Sequence, residues 1–269
     1  MLAFFFKKNI CDGWDNLFSI IVSNVFTLVL GIAAIFATYC AISVSPLLTT
    51  LIAIMCSGIV MVPIFAWGAN ARKIADFNTP SLGTFFRTMR VVWKQALAFG
   101  MLLAALCTVA SFCINFYLAQ QTLGLVGLLL AAFVFWFVAI SALSLQWFIP
   151  FYFLQEDNTF IKCLKKSFII FFDNPAFSIV VFAHNLALLV LSTVLFFFVP
   201  GTSGITLACT NALRMRLYKY DWIENMSKTD PNFAGDRKRH KQVPWAELLK
   251  EDRETLGPRT LRSFLFPWK

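Results

Sequence analysis

The side chains that could do chemistry inside this chain are few and uncharged: Asn24, Gln146, His184, Asn185 and Asn211, with Asn115 beside them, all set in long apolar runs. An unpaired polar group is costly in hydrocarbon, so such residues are where a ligand path would be sought first. None is an acid or a permanent cation. Proton- and sodium-coupled transporters commonly hold a carboxylate near the membrane midplane, and this set argues against that class, although backbone carbonyls can also coordinate sodium. Two uses remain for the amides. The simpler is hydrogen bonding between helices; the other is a lining for a neutral solute.

The adjacent pair His184 and Asn185, near the cytoplasmic third of the fifth apolar run, is the most interesting of these. The second histidine, His240, stands in a basic tail, so a His-rich metal site cannot assemble. Paired aspartates, an H-E-x-x-H helix and a serine with a buried base are all missing from the sequence, as is a Gly-rich phosphate loop. Gly124 and Gly127 fall in an apolar run, where close helix packing accounts for them. The expectation is a non-enzyme, with no catalytic residue, metal or cofactor.

The elements that must position these side chains are membrane helices. Gln95 to Gln155 runs sixty-one residues without Asp, Glu, Lys or Arg, and the stretches Asn16 to Gly68 and Asn174 to Leu213 are also free of them. A hydrocarbon core about 30 Å thick takes roughly 20 helical residues per crossing, so each block holds two crossings and a short turn. Composition agrees: 14% of residues are charged and 59% hydrophobic, against about 25% charged in a soluble domain. The fold expected is an all-α membrane protein of six transmembrane helices in three hairpins, at about 17–43, 47–68, 95–119, 124–150, 176–199 and 203–217. Residues 1–220 would form the membrane domain and 221–269 a basic cytoplasmic tail. The span at 203–217 is the weakest, being short and carrying Thr206, Thr210 and Asn211.

Charge orients the hairpins. The 23 Lys and Arg residues fall at Lys7 and Lys8, from Arg72 to Lys94, from Lys162 to Lys166, and from Arg214 onward. The turns near Ser43 to Pro46, Gln120 to Thr122 and Pro200 to Ser203 carry none. Basic residues in short loops stay on the cytoplasmic side, so six spans with both termini cytoplasmic satisfy every loop.

Amphipathic segments join the hairpins. Leu82, Phe85, Phe86, Met89, Val92 and Trp93 form one helical face, with Arg87, Arg90 and Lys94 opposite, which predicts a basic helix lying in the cytoplasmic interface before span three. Thr159 to Lys165 aligns with Thr84 to Arg90 and suggests a repeated lead-in. Arg87, Arg90, Lys94, Lys162, Lys165 and Lys166 are therefore candidate contacts for anionic lipid. Phe4-Phe5-Phe6-Lys7-Lys8 reads as another interfacial lead-in, and Pro63 should kink span two. Seven cysteines, an odd count without C-x-x-C, suggest small buried thiols rather than disulfides. Lys7 and Lys8 precede an apolar run too long for a cleavable signal.

The tail is expected to be a solvated linker from Met226 to Val243, then a short helix after Pro244 that stops at Leu256-Gly257-Pro258. The run Arg237 to Lys241 suits anionic lipid better than RNA, so nucleic acid is not an expected partner. The aromatic terminus Leu261 to Lys269 is expected to dock on the bilayer or on a partner.

Asn24 in span one, Pro63 ending span two, the Arg72-Lys73 exit, Phe85-Phe86-Arg87 to Trp93-Lys94-Gln95-Ala96, and Pro200-Gly201-Thr202-Ser203-Gly204 before Asn211-Ala212-Leu213 together resemble the YesL-like family of bacterial integral membrane proteins. The resemblance covers about residues 10–220 and leaves the tail out. It implies a multi-pass bacterial inner-membrane protein of undetermined activity, often associated with carbohydrate ABC uptake systems, and it supplies no catalytic residues. An accessory or assembly partner of such an importer is the first expectation, with the bilayer, ABC subunits or a second copy as partners. A transporter or channel for a neutral small solute is the second. An ABC permease subunit is third, but the Glu-Ala-Ala loop that grips the ATPase is not visible between Gln155 and Asn174.

Overall fold

The computed structural model describes residues 1–156, 158–230, 233 and 242–259, and among them every regular element is a helix. In order these are α1 (Leu2–Asp15), α2 (Leu17–Ile42), α3 (Pro46–Ala75), α4 (Leu82–Ala119), a 3-10 turn (Gln121–Leu123), α5 (Gly124–Leu145), α6 (Phe148–Leu154), α7 (Phe160–Asp173), α8 (Pro175–Val194), α9 (Gly201–Thr229), α10 (Trp245–Leu248) and α11 (Lys250–Leu256).

Local chemistry sets these boundaries. Ser45 opens α3 by accepting the Leu48 N–H at 3.1 Å, and Pro46 takes the first helical position, where an N–H would be spare. Ser81 caps α4 and Thr159 caps α7 in the same way, at 3.0 and 3.4 Å. The cap of α4 therefore lies three residues before Thr84, whereas Thr159 is itself the cap of α7. The two aligned segments start at different helical positions, and the structure does not make them equivalent copies.

α5 stops at Leu145 because Pro150 offers no N–H to the carbonyl of Gln146 and its ring crowds that carbonyl. The chain turns at Gln146 and Trp147 and resumes as α6, so the span expected over 124–150 is two helices. Pro63, in contrast, sits inside an unbroken α3 that runs on to Ala75.

The surface-lying helix expected over 82–94 is instead the first three turns of α4. This single helix of 38 residues is about 57 Å long, well beyond a core of about 30 Å. No Gly or Pro interrupts Thr84 to Phe99, and Phe85, Val92, Ala96 and Phe99 continue one buried stripe through the basic turns. α7 is the separate amphipathic helix, burying Cys163, Ser167, Ile170 and Phe171.

α2, α3, α4, α5 with α6, and α8 are five helices long and apolar enough to cross a membrane. They mark the chain as a multi-pass integral membrane protein. The sixth expected span lies within α9, which does not share that apolar character. Its residues Gly201, Ser203, Gly204 and Thr206 to Leu213 are buried, and α1, α2, α3, α6 and α8 all pack on it. A helix ringed by protein meets little lipid, so small and polar residues replace Leu and Phe and let its neighbours approach closely.

α2, α3, α4 and α5 pack as neighbours in chain order. α3 and α4 come close at Gly100, where a Cβ would stand 2.7 Å from the Ser57 carbonyl oxygen. Cys40 and Cys107 are exposed on this row, against the expectation of uniformly buried thiols, while Cys11, Cys163 and Cys209 are buried.

α1 is also more than a lead-in. It packs on α9 and buries Phe4, Phe5, Lys8, Cys11 and Asp12. At the other end of the chain, α9 runs on to Thr229, past the boundary expected near 220. α11 docks on the same bundle, burying Leu249 beside it and Leu256. The run Arg237 to Lys241 and the segment 261–269 lie outside the described residues.

Candidate functional site

Asn24 joins α2 to the turn between α8 and α9. Its Nδ2 donates to the carbonyls of Phe198 and Pro200 at 2.9 and 2.8 Å, and its Oδ1 accepts the Ser203 N–H at 3.0 Å. Pro200, in the N-cap position of α9, has no side-chain acceptor, so Asn24 supplies that cap from a different helix. Ser192 Oγ accepts the Gly201 N–H at 2.9 Å and completes the joint.

A cavity of about 380 Å³ opens next to this joint, between α3, α4, α5, α6, α8 and α9. Its wall is mostly apolar, with Met61, Phe99, Leu103, Phe182, Leu186 and Leu189 among the lining residues, and Gln146, Asn185, Thr202, Thr206 and Cys209 are its polar points. The helix break before Pro150 turns Gln146 toward α8, where Nε2 donates to Ser178 O at 3.0 Å. Asn185 Nδ2 donates to Gln146 Oε1 at 3.5 Å and to Cys209 Sγ at 3.0 Å, while Asn185 Oδ1 is buried without a hydrogen-bond partner. Such a space suits an apolar or neutral molecule and offers no set of ligands to a hydrated ion.

His184 points away from that cavity. Its Nε2 lies 2.9 Å from Asn9 Nδ2 of α1, with the rings of Phe5 and Phe6 edge-on at 5.4 and 5.2 Å. Asn211 also turns to α1, donating to Asp12 Oδ2 at 2.9 Å. Asp12 is paired with Lys8 at 3.1 Å, both almost fully buried, and Lys8 Nζ sits 3.5 Å from the Phe77 ring centroid. Burial pushes the Asp12 carboxyl up from its ordinary value and the Lys8 ammonium down, because each charged form has lost water. One layer further out, Arg214 of α9 bridges Asp76, after α3, and Asp252 of α11, each at 2.9 Å.

Of the five residues proposed from sequence as an intramembrane cluster, the structure brings together only Gln146 and Asn185. Asn24, His184 and Asn211 each serve a separate helix joint. Among the basic candidates, Arg87, Arg90, Lys94, Lys162 and Lys165 are exposed. Lys166 is half-buried, and it donates to Gln155 Oε1 at 2.7 Å and Asn158 Oδ1 at 2.8 Å, holding the turn before α7. Sequence reasoning missed Asn9, Asp12, Ser192 and Cys209. The one available signal was the i, i+4 spacing of Lys8 and Asp12 in a charge-poor chain.

The fold and these joints define a multi-pass helical membrane protein with an apolar intramembrane cavity. No family model matches the chain, and no curated protein or solved structure matches it.

Proposed function

We propose that the chain is a non-enzymatic, multi-pass protein of a bacterial cytoplasmic membrane, with its basic end and both termini in the cytoplasm, acting as an accessory or assembly partner of another membrane complex. One observation supports this above others: Asn24, His184 and Asn211 are each taken up by a neighbouring segment of the same chain, so they line no common polar path. A carbohydrate ABC importer is the partner class that the YesL-like resemblance implies. Solubilising membranes in a mild detergent and isolating the tagged chain should bring down permease and ATPase subunits in fixed ratio. Isolation of the chain alone, or with lipid only, would refute the assembly role.

A second reading, carriage of a neutral solute, is favoured by the cavity and by the buried, unpartnered Oδ1 of Asn185, a residue of its wall. Reconstituted vesicles should then take up the solute, and Leu189→Trp, which fills the cavity, should abolish uptake. Equal flux from the variant would remove this reading.

A further inference from the structure

We propose that the hairpin of α8 and α9 is re-entrant: its tip, Leu195 to Pro200, ends inside the bilayer among acyl chains and does not reach the far surface. The inference rests on the reading above only in taking α2 to α5 as full crossings.

Two independent contacts measure the depth of the tip. Asn24 holds it on α2, and from Asn24 that helix continues another eighteen residues to Ile42, about 27 Å at 1.5 Å per residue. On α3, Trp67 Nε1 donates to Ser203 O at 3.0 Å, three residues past the tip, and twenty-one residues separate Pro46 from Trp67, about 32 Å. The tip therefore stops far short of the turn from Ser43 to Ser45. Toward the basic end the distances are short: Arg72 is five residues beyond Trp67, about 8 Å. Ser203 lies three residues past the tip, which adds about 5 Å, so in a core about 30 Å thick the tip lies nearly halfway in.

The long outer halves of α2 and α3 cannot stand in water instead. Ile35, Phe36, Tyr39 and Leu47 are 69–72% exposed on them, which only a hydrocarbon surrounding accommodates.

The chemistry of the tip fits the same depth. A turn at the water surface is ordinarily polar, and the other two are: Ser43 and Ser45 in one, Gln120 and Gln121 in the other. This one reads Leu195-Phe196-Phe197-Phe198-Val199-Pro200, with Phe196 77% exposed. Non-helical backbone is tolerated at membrane depth only where protein covers it, and here the backbone of the tip is held on α2 while the Phe196 side chain faces outward. Here Asn24 takes the Phe198 and Pro200 carbonyls, Ser192 Oγ takes the Gly201 N–H, and Phe197 N–H donates to Ser192 O at 2.6 Å. Phe196 and Phe197 hold left-handed φ values of 51° and 60°, a conformation that bulky residues keep only where the surroundings impose it. The arrangement leaves four full crossings and still returns both termini to one side.

The test replaces Ser43, Lys165 or Phe196, one at a time, with a strained-alkene amino acid in the full chain in native membrane vesicles. A membrane-impermeant tetrazine dye is then applied from either side, and a permeant dye in parallel. Position 43 should label from outside, position 165 from inside, and position 196 from neither side, while the permeant dye reaches all three. Labelling of position 196 from outside at the rate of position 43 would overturn the re-entrant hairpin. Failure of the permeant dye at position 196 would also overturn it, by placing the tip within a protein contact. If position 196 yields no folded chain, Phe198, also exposed, takes its place under the same criteria. Position 165 labelling from outside would instead refute the assigned orientation, and position 196 would still decide the depth of the tip by its labelling from the two sides.

Discussion

Asn24 and Gly201 fill one space. A Cβ on Gly201 would stand 2.3 Å from Asn24 Nδ2, and the glycine has a left-handed φ of +57°. The side chain that caps α9 can approach its first turn only because that turn begins with glycine.

Asn24→Ala should therefore strip the Phe198 carbonyl and the Ser203 N–H of their partners and leave the Pro200 carbonyl only the Gly204 N–H. A loss of about 2–3 kcal/mol in unfolding free energy is expected, combining a missing cap with buried unpaired backbone. Denaturant titration in mixed micelles would measure it. A change below about 0.5 kcal/mol would fall within surface-substitution range and contradict the capping role.

Gly201→Ala should cost about 2 kcal/mol or more, from the left-handed backbone and the collision with Asn24. In the double variant with Asn24→Ala the collision disappears, so the combined loss should fall short of the sum by about 1 kcal/mol. Strict additivity in the same titration would show that the two residues do not share the space.

Much of this architecture is legible in the sequence, because lipid imposes length and charge rules that leave a plain trace. The three uncharged blocks are the α2–α3, α4–α5 and α8–α9 hairpins, and the chain turns near Ser43 and Gln120 as expected. What escapes is depth and partnership. Trp67 meets Ser203 from 136 residues away, a contact with no periodicity to announce it. The polar content of α9 is visible and suggests a weak span, whereas it reflects a helix enclosed by protein. Pro150 is visible too; the carbonyl it strands four residues earlier belongs to Gln146, and that break turns Gln146 toward Asn185. Asn9 and Asp12 stand in a segment whose aromatics and lysines suggest a surface helix, and nothing local announces that α9 will cover them.

The buried pair of Lys8 and Asp12 gives a prediction of opposite sign for single and double changes. Lys8→Met leaves the Asp12 carboxylate buried with only Asn211 to support it and should cost about 3–5 kcal/mol. Adding Asp12→Asn removes the remaining charge and keeps an acceptor for Asn211 Nδ2, so the double variant should recover more than half of that loss. Thermal unfolding in detergent would read both. A double variant no more stable than Lys8→Met would mean that the ammonium acts through its contact with Phe77 and not through charge balance.

The last prediction concerns the clasp that holds α11 on the bundle. Arg214 reaches Asp252 on α11 and Asp76 beyond α3 at once, and Tyr218 donates its hydroxyl to Asp252 at 3.3 Å. Asp252→Ala leaves Arg214 paired with Asp76, so the bundle should hold while α11 loosens. A local loss of about 2 kcal/mol corresponds to amide exchange about thirtyfold faster over residues 245–256. Amides of α9 from Gly201 to Leu213 should keep their protection, because Asn24 and the surrounding helices still enclose them. Leu249→Asp attacks the same docking through its apolar contact and should give the same pattern of exchange. If either variant opened the first turns of α9 as well, the carboxy-terminal helices would be part of the core and not a clasp laid upon it.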